Sequence, residues 1–487
     1  MKEIIIAKYI YTSLFLCVFI YTTHAQTSIN VIQSNTLNQL IKNDTLFHKF
    51  SGNVIIEYSD LKIRCDTILI DQNKNNMLGW GNAKIHNDTL NCSSDSIKIN
   101  QRNKHLYFYQ NSLIKINDML ITSDYIEYDY KNNTLQYLYG GDVQQKSNHI
   151  ESQKLIYNLN TNSSHFANNI QLTTTEYIIK TETMNYKQDL INFSGYTLIE
   201  NSDFHITCNK GSFRKGVFLK ISNNVILKLE KETIQADFLD KDLVNDKNLF
   251  KNNIQIKLDE NTTATGNLLV QFDHQSELTD ECKMYINNLD DSISITGDKI
   301  IMNNKIKDVK IINNVIISGN TIDGICKQVQ YESSNQKITM SNKPIMWFDD
   351  IQVTGEEIVL YTHRNQLDSI YIPKQPFIIA PHDSLQYYDQ IKGLVLEGKF
   401  QNNVIDYIQL KGNSHMKNFD IVHDSLIKIN NVTSSKILLS IDTNKIKNVS
   451  CFNQIEANQI EINNMQKDQN INKLLYFSDF KLINKPF

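Results

Sequence analysis

Leu61-Lys62-Ile63-Arg64-Cys65-Asp66-Thr67-Ile68-Leu69-Ile70 decides the fold. Apolar side chains fall on Leu61, Ile63 and Cys65 and then on Ile68 and Ile70, so the alternation of a strand with one buried face slips by one residue across Cys65-Asp66. Such a slip marks a bulge or bend where one extra residue is inserted. The pair, a small residue followed by a polar one, recurs as Ser94-Asp95, Ser123-Asp124, Ser152-Gln153 and Thr181-Glu182, advancing 29 residues at each step. It continues as Cys208-Asn209, Ala236-Asp237, Gly266-Asn267, Gly297-Asp298, Cys326-Lys327 and Gly355-Glu356, with steps of 27 to 31. Ser34-Asn35 is an earlier copy, and Gly393-Leu394, Ser434-Ser435 and Ala457-Asn458 are looser later ones. A fixed period of this length is the signature of a repeat architecture.

The alternation places Val54, Ile56, Ile63, Ile68, Ile97, Ile121, Ile126, Tyr128, Leu155, Tyr157, Ile179 and Met184 in inward-facing columns, the candidate lining of an apolar groove. The bend column, Cys65, Ser94, Ser123, Ser152, Thr181, Cys208 and Gly355 among its members, admits only small residues, as it would where two walls of a sheet converge. Between successive bends lie Gly52-Asn53, Gly81-Asn82, Asn111-Ser112, Gly141-Asp142, Asn169, Asn224, Asn253 and Asn314. Gly and Asn tolerate left-handed backbone, so these positions can open a turn or irregularity. Polar clusters such as Asn73-Lys74-Asn75-Asn76, Lys131-Asn132-Asn133 and Asn160-Thr161-Asn162 supply the other turn. One repeat therefore reads as two strands. The period alone fits both an antiparallel folded sheet and a parallel β-solenoid.

Composition agrees with an all-β chain, because Ile, Val, Thr, Tyr and Phe are abundant and suit a pleated surface. Residues 1–25 have the order of a cleaved signal peptide: Lys2 and Lys8, an apolar run from Tyr9 to Tyr21, and Thr23-His24-Ala25 before the expected cut. That run is shorter than the roughly 20 residues a spanning helix needs. The formal net charge of −4 is too mild to attract nucleic acid. Cys65, Cys92, Cys208, Cys282, Cys326 and Cys451 form no CxxC pair, which argues against zinc and redox sites. Export permits disulfides, with Cys65 and Cys92 the pair nearest in repeat register, but buried free thiols are the favoured reading. The domain reading is a β-repeat region at 26–365, a C-terminal β region with irregular repeats at 366–462 beginning near Pro373, Pro376 and Pro381, and a polar connection with a terminal segment at 463–487.

Phe50-Ser51-Gly52-Asn53-Val54-Ile55-Ile56, followed by Leu61 to Ile68, resembles the OstA (organic solvent tolerance) N-terminal repeat. The likeness is strongest over residues 28–361. It implies a long antiparallel β-jellyroll, or taco, that carries lipopolysaccharide acyl chains between its walls in the periplasm. It also implies joining through edge strands to other jellyroll components of a transport bridge and to an outer-membrane translocon, with head-to-tail self-association a further possibility. The residues beyond the repeats are too few for the membrane barrel of the family's translocon branch, so the soluble bridge is the expectation.

Other chemistry finds little footing. Asp66, Asp95 and Asp124 could suggest a calcium ladder, but the column turns to Gln153, Glu182, Asn209 and Lys327, as a solvated polar bend would. No metal or cofactor is expected. There is no HExxH, GxSxG or P-loop, Gly79-Trp80-Gly81 lacks the rest of a nucleotide fingerprint, and the 12 histidines are scattered. A carbohydrate-active β-helix would need clustered acids in one cleft. The reading is a non-enzymatic lipid carrier, with a structural or adhesive β-solenoid as the alternative. Residues 29–37 and the last strands are the candidate docking edges.

Overall fold

The structure is a computed structural model describing residues 29–42, 45–71, 76–230, 232–287, 292–363, 366–381, 387–401, 403–422, 425–442, 445–461 and 474–486. The expected signal segment and most of Asn73-Lys74-Asn75-Asn76 lie outside the described residues, as does most of the polar stretch before Leu474. The chain divides into two compact units, Met1–Gln188 and Asp189–Phe487.

The first unit contains β1 (Ile29–Gln33), β2 (Thr36–Lys42), β3 (Thr45–Tyr58), β4 (Leu61–Asp71), β5 (Asn76–His86), β6 (Asn91–Asn100), β7 (His105–Ile116), β8 (Met119–Asp129), β9 (Thr134–Tyr137), β10 (Gly141–Gln145), β11 (Asn148–Ser152), β12 (Lys154–Asn158), β13 (Ser163–Thr173) and β14 (Ile178–Lys187). Neighbours pair antiparallel in chain order, β3 with β4, β4 with β5 and on through β7 with β8. This excludes the parallel solenoid and establishes the antiparallel folded sheet.

Each long strand serves two walls. The segments 54–58, 61–65, 84–86, 91–94, 112–116 and 119–123 pair with one another as a first wall. The segments 47–51, 67–71, 76–80, 96–100, 105–109 and 125–129 form the second. At β9 to β12 the bend is sharp enough to split a strand in two: β10 pairs with the start of β8 and β9 with its end, while β13 pairs with both β11 and β12. The sheet is thus folded lengthwise along a seam.

The seam has a defined register. Ser51 faces Thr67 and Val54 faces Cys65, so Gly52 and Asn53 oppose Asp66 alone, a two-against-one bulge. Gly81-Asn82 opposes Asp95, Gln110-Asn111 opposes Asp124, and Asn168-Asn169 opposes Glu182 in the same manner. Both bulged residues are left-handed, with φ of 79° and 47° at Gly81 and Asn82 and 59° and 49° at Gln110 and Asn111. That conformation favours Gly and Asn and explains their column. At Gly81 a Cβ would also run into the Asp66 carboxylate.

The second unit repeats the design. Asn223-Asn224 opposes Asp237, and Asn313-Asn314 opposes Lys327. Thr262–Phe272 pairs with Lys283–Asn287 through its first half and with Gln275–Thr279 through its second. Pairing runs on through the proline-containing region, where Phe377–Pro381 lies between Ile351–Thr354 and Tyr388–Lys392. It reaches the long strands Val404–Val422 and Ser425–Asp442.

The final segment packs back onto this unit. Leu475 joins Phe419 and Ile429 in an apolar cluster. Gln390 donates to the Leu475 carbonyl at 3.0 Å and accepts from the Phe477 amide at 2.8 Å, and Gln352 treats Lys481 and Ile483 alike, both at 2.9 Å. Two glutamines whose residues are fully buried are therefore hydrogen-bonded, as burial of an amide requires.

Candidate functional site

The candidate lining residues are on the inner face of the first unit. Val54, Ile56, Ile63, Ile121 and Ile179 come from the first wall, and Ile68, Ile97, Ile126, Tyr128, Leu155, Tyr157 and Met184 from the second. All twelve are between 0 and 6% exposed. Phe108, Tyr137 and Phe166 fill the same interior and are fully buried. Buried apolar side chains from both walls therefore meet inside the first unit.

The seam is chemically more specific than a steric limit. Cys65, Ser94, Ser152, Thr181 and Cys208 are buried, whereas Ser123 and Gly355 are half-buried. A Cβ at Gly355 would run into Ile372 Cγ2, so bulk is limited there. Elsewhere the small side chain has a task. Cys65 Sγ donates to the carbonyl of Thr67 at 3.3 Å, Ser94 Oγ to Ser96 at 2.9 Å and Ser152 Oγ to Lys154 at 3.1 Å, whereas Ser123 Oγ, 3.1 Å from the Tyr125 carbonyl, lies closer to that of Gly140 at 2.6 Å. Cys326 and Ser434 repeat the bond to the residue two positions on, at 3.2 and 2.9 Å. These donors serve carbonyls where the bulge displaces the ladder, and a buried carbonyl needs a partner. The sequence reading found the column but missed this bond.

The acidic column is bound as well. Asn82 donates to Asp66 at 3.3 Å, Asn111 to Asp95 at 2.9 Å, Asn253 to Asp237 at 2.7 Å and Asn314 to Asp298 at 3.1 Å, each acid 16 residues upstream of its Asn. The left-handed Asn of one strand thus holds the acid of the strand before it. This gives these four carboxylates a structural role.

Opposite the seam is the lip, where the turns of the two walls meet. Tyr58 ends the first-wall segment of β3 and Tyr130 follows the second-wall segment of β8, yet their hydroxyls lie 3.3 Å apart. Tyr128 and Tyr157 donate to turn residues Asn133 and Asn162 at 3.1 and 3.0 Å. Their rings face inward and their hydroxyls face the lip. Burial pushes the Tyr128 hydroxyl up to about 12, with the charge of Asp60 adding to it.

All six described cysteines are free, including Cys65 and Cys92. Burial raises the pKa of the Cys65 thiol to about 12, aided by Asp66, and that of Cys326 to about 11. Thiols held protonated are poor nucleophiles. Among the described residues β2 pairs only with β3, and Leu37, Leu40 and Ile41 are exposed on it, Ile41 to 79%.

Against known proteins, residues 26–182 match the family profile described as OstA-like protein. Residues 222–366 match that of the LptA/(LptD N-terminal domain) LPS transport protein. The resemblance read from the repeats is borne out. No curated protein sequence matches the chain. A solved structure, LptH from Pseudomonas aeruginosa, is the LptA homologous periplasmic component of its lipopolysaccharide transport device. It is similar at 10% identity over 24% of this chain and 94% of that one, with a TM-score of 0.23, too loose a superposition to build on.

Proposed function

We propose, from the premise that residues 26–182 match an OstA-like profile and residues 222–366 a lipopolysaccharide-transport profile, that this chain is a periplasmic carrier in lipopolysaccharide transport. It holds acyl chains between the walls of its folded sheet and bridges transport components of the inner and outer membranes. The observation that carries this reading is the match of residues 222–366 to a lipopolysaccharide-transport family on a chain whose folded sheet buries apolar side chains from both walls. Such a face suits the cargo, since each methylene withdrawn from water contributes about 0.8 kcal/mol and needs no polar partner. The work is non-enzymatic in this reading, and residues 1–25 direct export. Open edges such as β2 dock strands of other jellyroll components, of the outer-membrane translocon or of a second copy, by main-chain pairing.

One observation favours a structural or adhesive role instead: the lining is fully covered without cargo. Binding of cis-parinaric acid, an acyl chain that fluoresces in apolar surroundings, separates the two. A carrier raises its fluorescence, and lipid A displaces it. A packed structural core gives no signal at any protein concentration.

A further inference from the structure

On the carrier reading, on which this inference rests, acyl chains occupy the interior, so the walls must part, and the fold leaves one line along which they can. Along the seam every long strand passes covalently from wall to wall, held by the Ser and Cys donors and by the Asn–Asp bonds. Along the lip no described chain connection crosses, because each turn there joins two strands of the same wall. The contacts that do cross the lip are noncovalent.

In the first unit the contact is between Tyr58 and Tyr130, 72 residues apart, through hydroxyls at 3.3 Å. In the second unit a charged pair has the corresponding places in the chain. Glu232 closes the turn between the first-wall segments of Phe218–Lys228 and Thr233–Asp242, its carbonyl taking the Leu229 amide at 2.9 Å. Lys307 closes the turn between the second-wall segments of Lys299–Asn303 and Asp308–Ser318. The two interact electrostatically from opposite lips. The Tyr58–Tyr130 hydrogen bond brings a first-wall turn against the second-wall turn some two and a half repeats later, and the electrostatic influence of Lys307 on Glu232 has nearly the same offset along the chain.

We propose that this lip is the gate by which an acyl chain is admitted, with the Tyr58–Tyr130 contact as its latch in the first unit. The lining tyrosines fit the assignment. Tyr128 and Tyr157 put rings toward the interior and hydroxyls toward the lip, so an admitted lipid would meet apolar surface inside and polar groups at the mouth.

The test uses the full chain with Cys451→Ser, which removes the one described thiol that is not buried. Tyr58→Cys with Tyr130→Cys is bridged by a bis-methanethiosulfonate spacer that dithiothreitol releases. A control pair, Asp60→Cys with Asn87→Cys, bridges neighbouring turns of one wall whose side chains are 2.8 Å apart. The lip bridge is expected to slow cis-parinaric acid uptake at least about tenfold, with recovery on reduction, while the control bridge leaves uptake unchanged. Tyr58→Phe, which keeps the ring, is expected to speed uptake about two- to tenfold, the range set by losing one neutral hydrogen bond. Equal uptake with the lip bridged would overturn the gate and point to threading from the open ends. An unchanged rate in Tyr58→Phe would overturn the latch. No uptake by any form, bridged or not, would refute the carrier reading and the gate with it.

Discussion

Ser94→Ala isolates the chemistry of the seam. The hydroxyl donates to the carbonyl of Ser96 at 2.9 Å from a buried position, and alanine fits the same space. What remains is a carbonyl without its partner, which costs about 1–3 kcal/mol. Because stability in repeat proteins is a sum of local terms, the loss belongs to β5, β6 and β7 rather than to the whole chain. Hydrogen exchange read by mass spectrometry is the fitting assay. Amides of residues 76–116 should exchange roughly 5- to 140-fold faster in Ser94→Ala, the equivalent of that energy at about 1.4 kcal/mol per tenfold. Peptides from residues 205–228 should not change. Ser94→Cys, which keeps a donor as Cys65 and Cys326 do, should recover most of the protection. If Ser94→Ala exchanges like the parent, the column is a matter of size alone and the donor argument fails.

Other consequences stem from the same geometry. Gly81→Asn places a Cβ against Asp66 and should cost more than about 1 kcal/mol, whereas Gly216→Asn, at φ 66° with open space around it, should stay within about 0.5 kcal/mol; chemical denaturation compares them. The thiols should make the protein alkali-sensitive. Burial raises Cys65 to about 12 and Cys326 to about 11 from an ordinary 9.0, so the folded state holds protons that the unfolded state releases. Their contribution is complete below about pH 9 and is lost as pH rises toward 11 to 12, and Cys65→Ser with Cys326→Ser should flatten that limb of the stability–pH curve. Leu40→Lys on the open edge of β2 should leave the melting temperature unchanged and reduce self-association in sedimentation velocity.

Much of this was legible in the sequence, for definite reasons. The slip of alternation between Cys65 and Ile68 disclosed the bend, because a period of two cannot absorb an odd residue unnoticed. Antiparallel pairing was not decided by the period, since both topologies return the chain after 29 residues. The donor role of the seam was hidden by Ala236, Gly266, Gly297 and Gly355, which share the column's size but carry no donor. The Gly-Asn marker was read as lying between bends, whereas the structure sets it directly opposite them. A constant 16-residue offset from Asp66 to Asn82, Asp95 to Asn111 and Asp298 to Asn314 would have revealed that pairing. The Tyr58–Tyr130 contact depends on how far one wall is displaced against the other, and no local pattern encodes that displacement.

Photo-crosslinking in cells tests the central claim most directly, that lipid travels on the inner face of the folded sheet. A photoreactive residue replaces Ile68 or Ile126 on the inner face, or Lys98 on the outer face beside Tyr107, and lipopolysaccharide adducts are then blotted. The account predicts adducts at Ile68 and Ile126 and none at Lys98. Adducts confined to Lys98, or adducts at none of the three in cells that are actively exporting lipopolysaccharide, would contradict it.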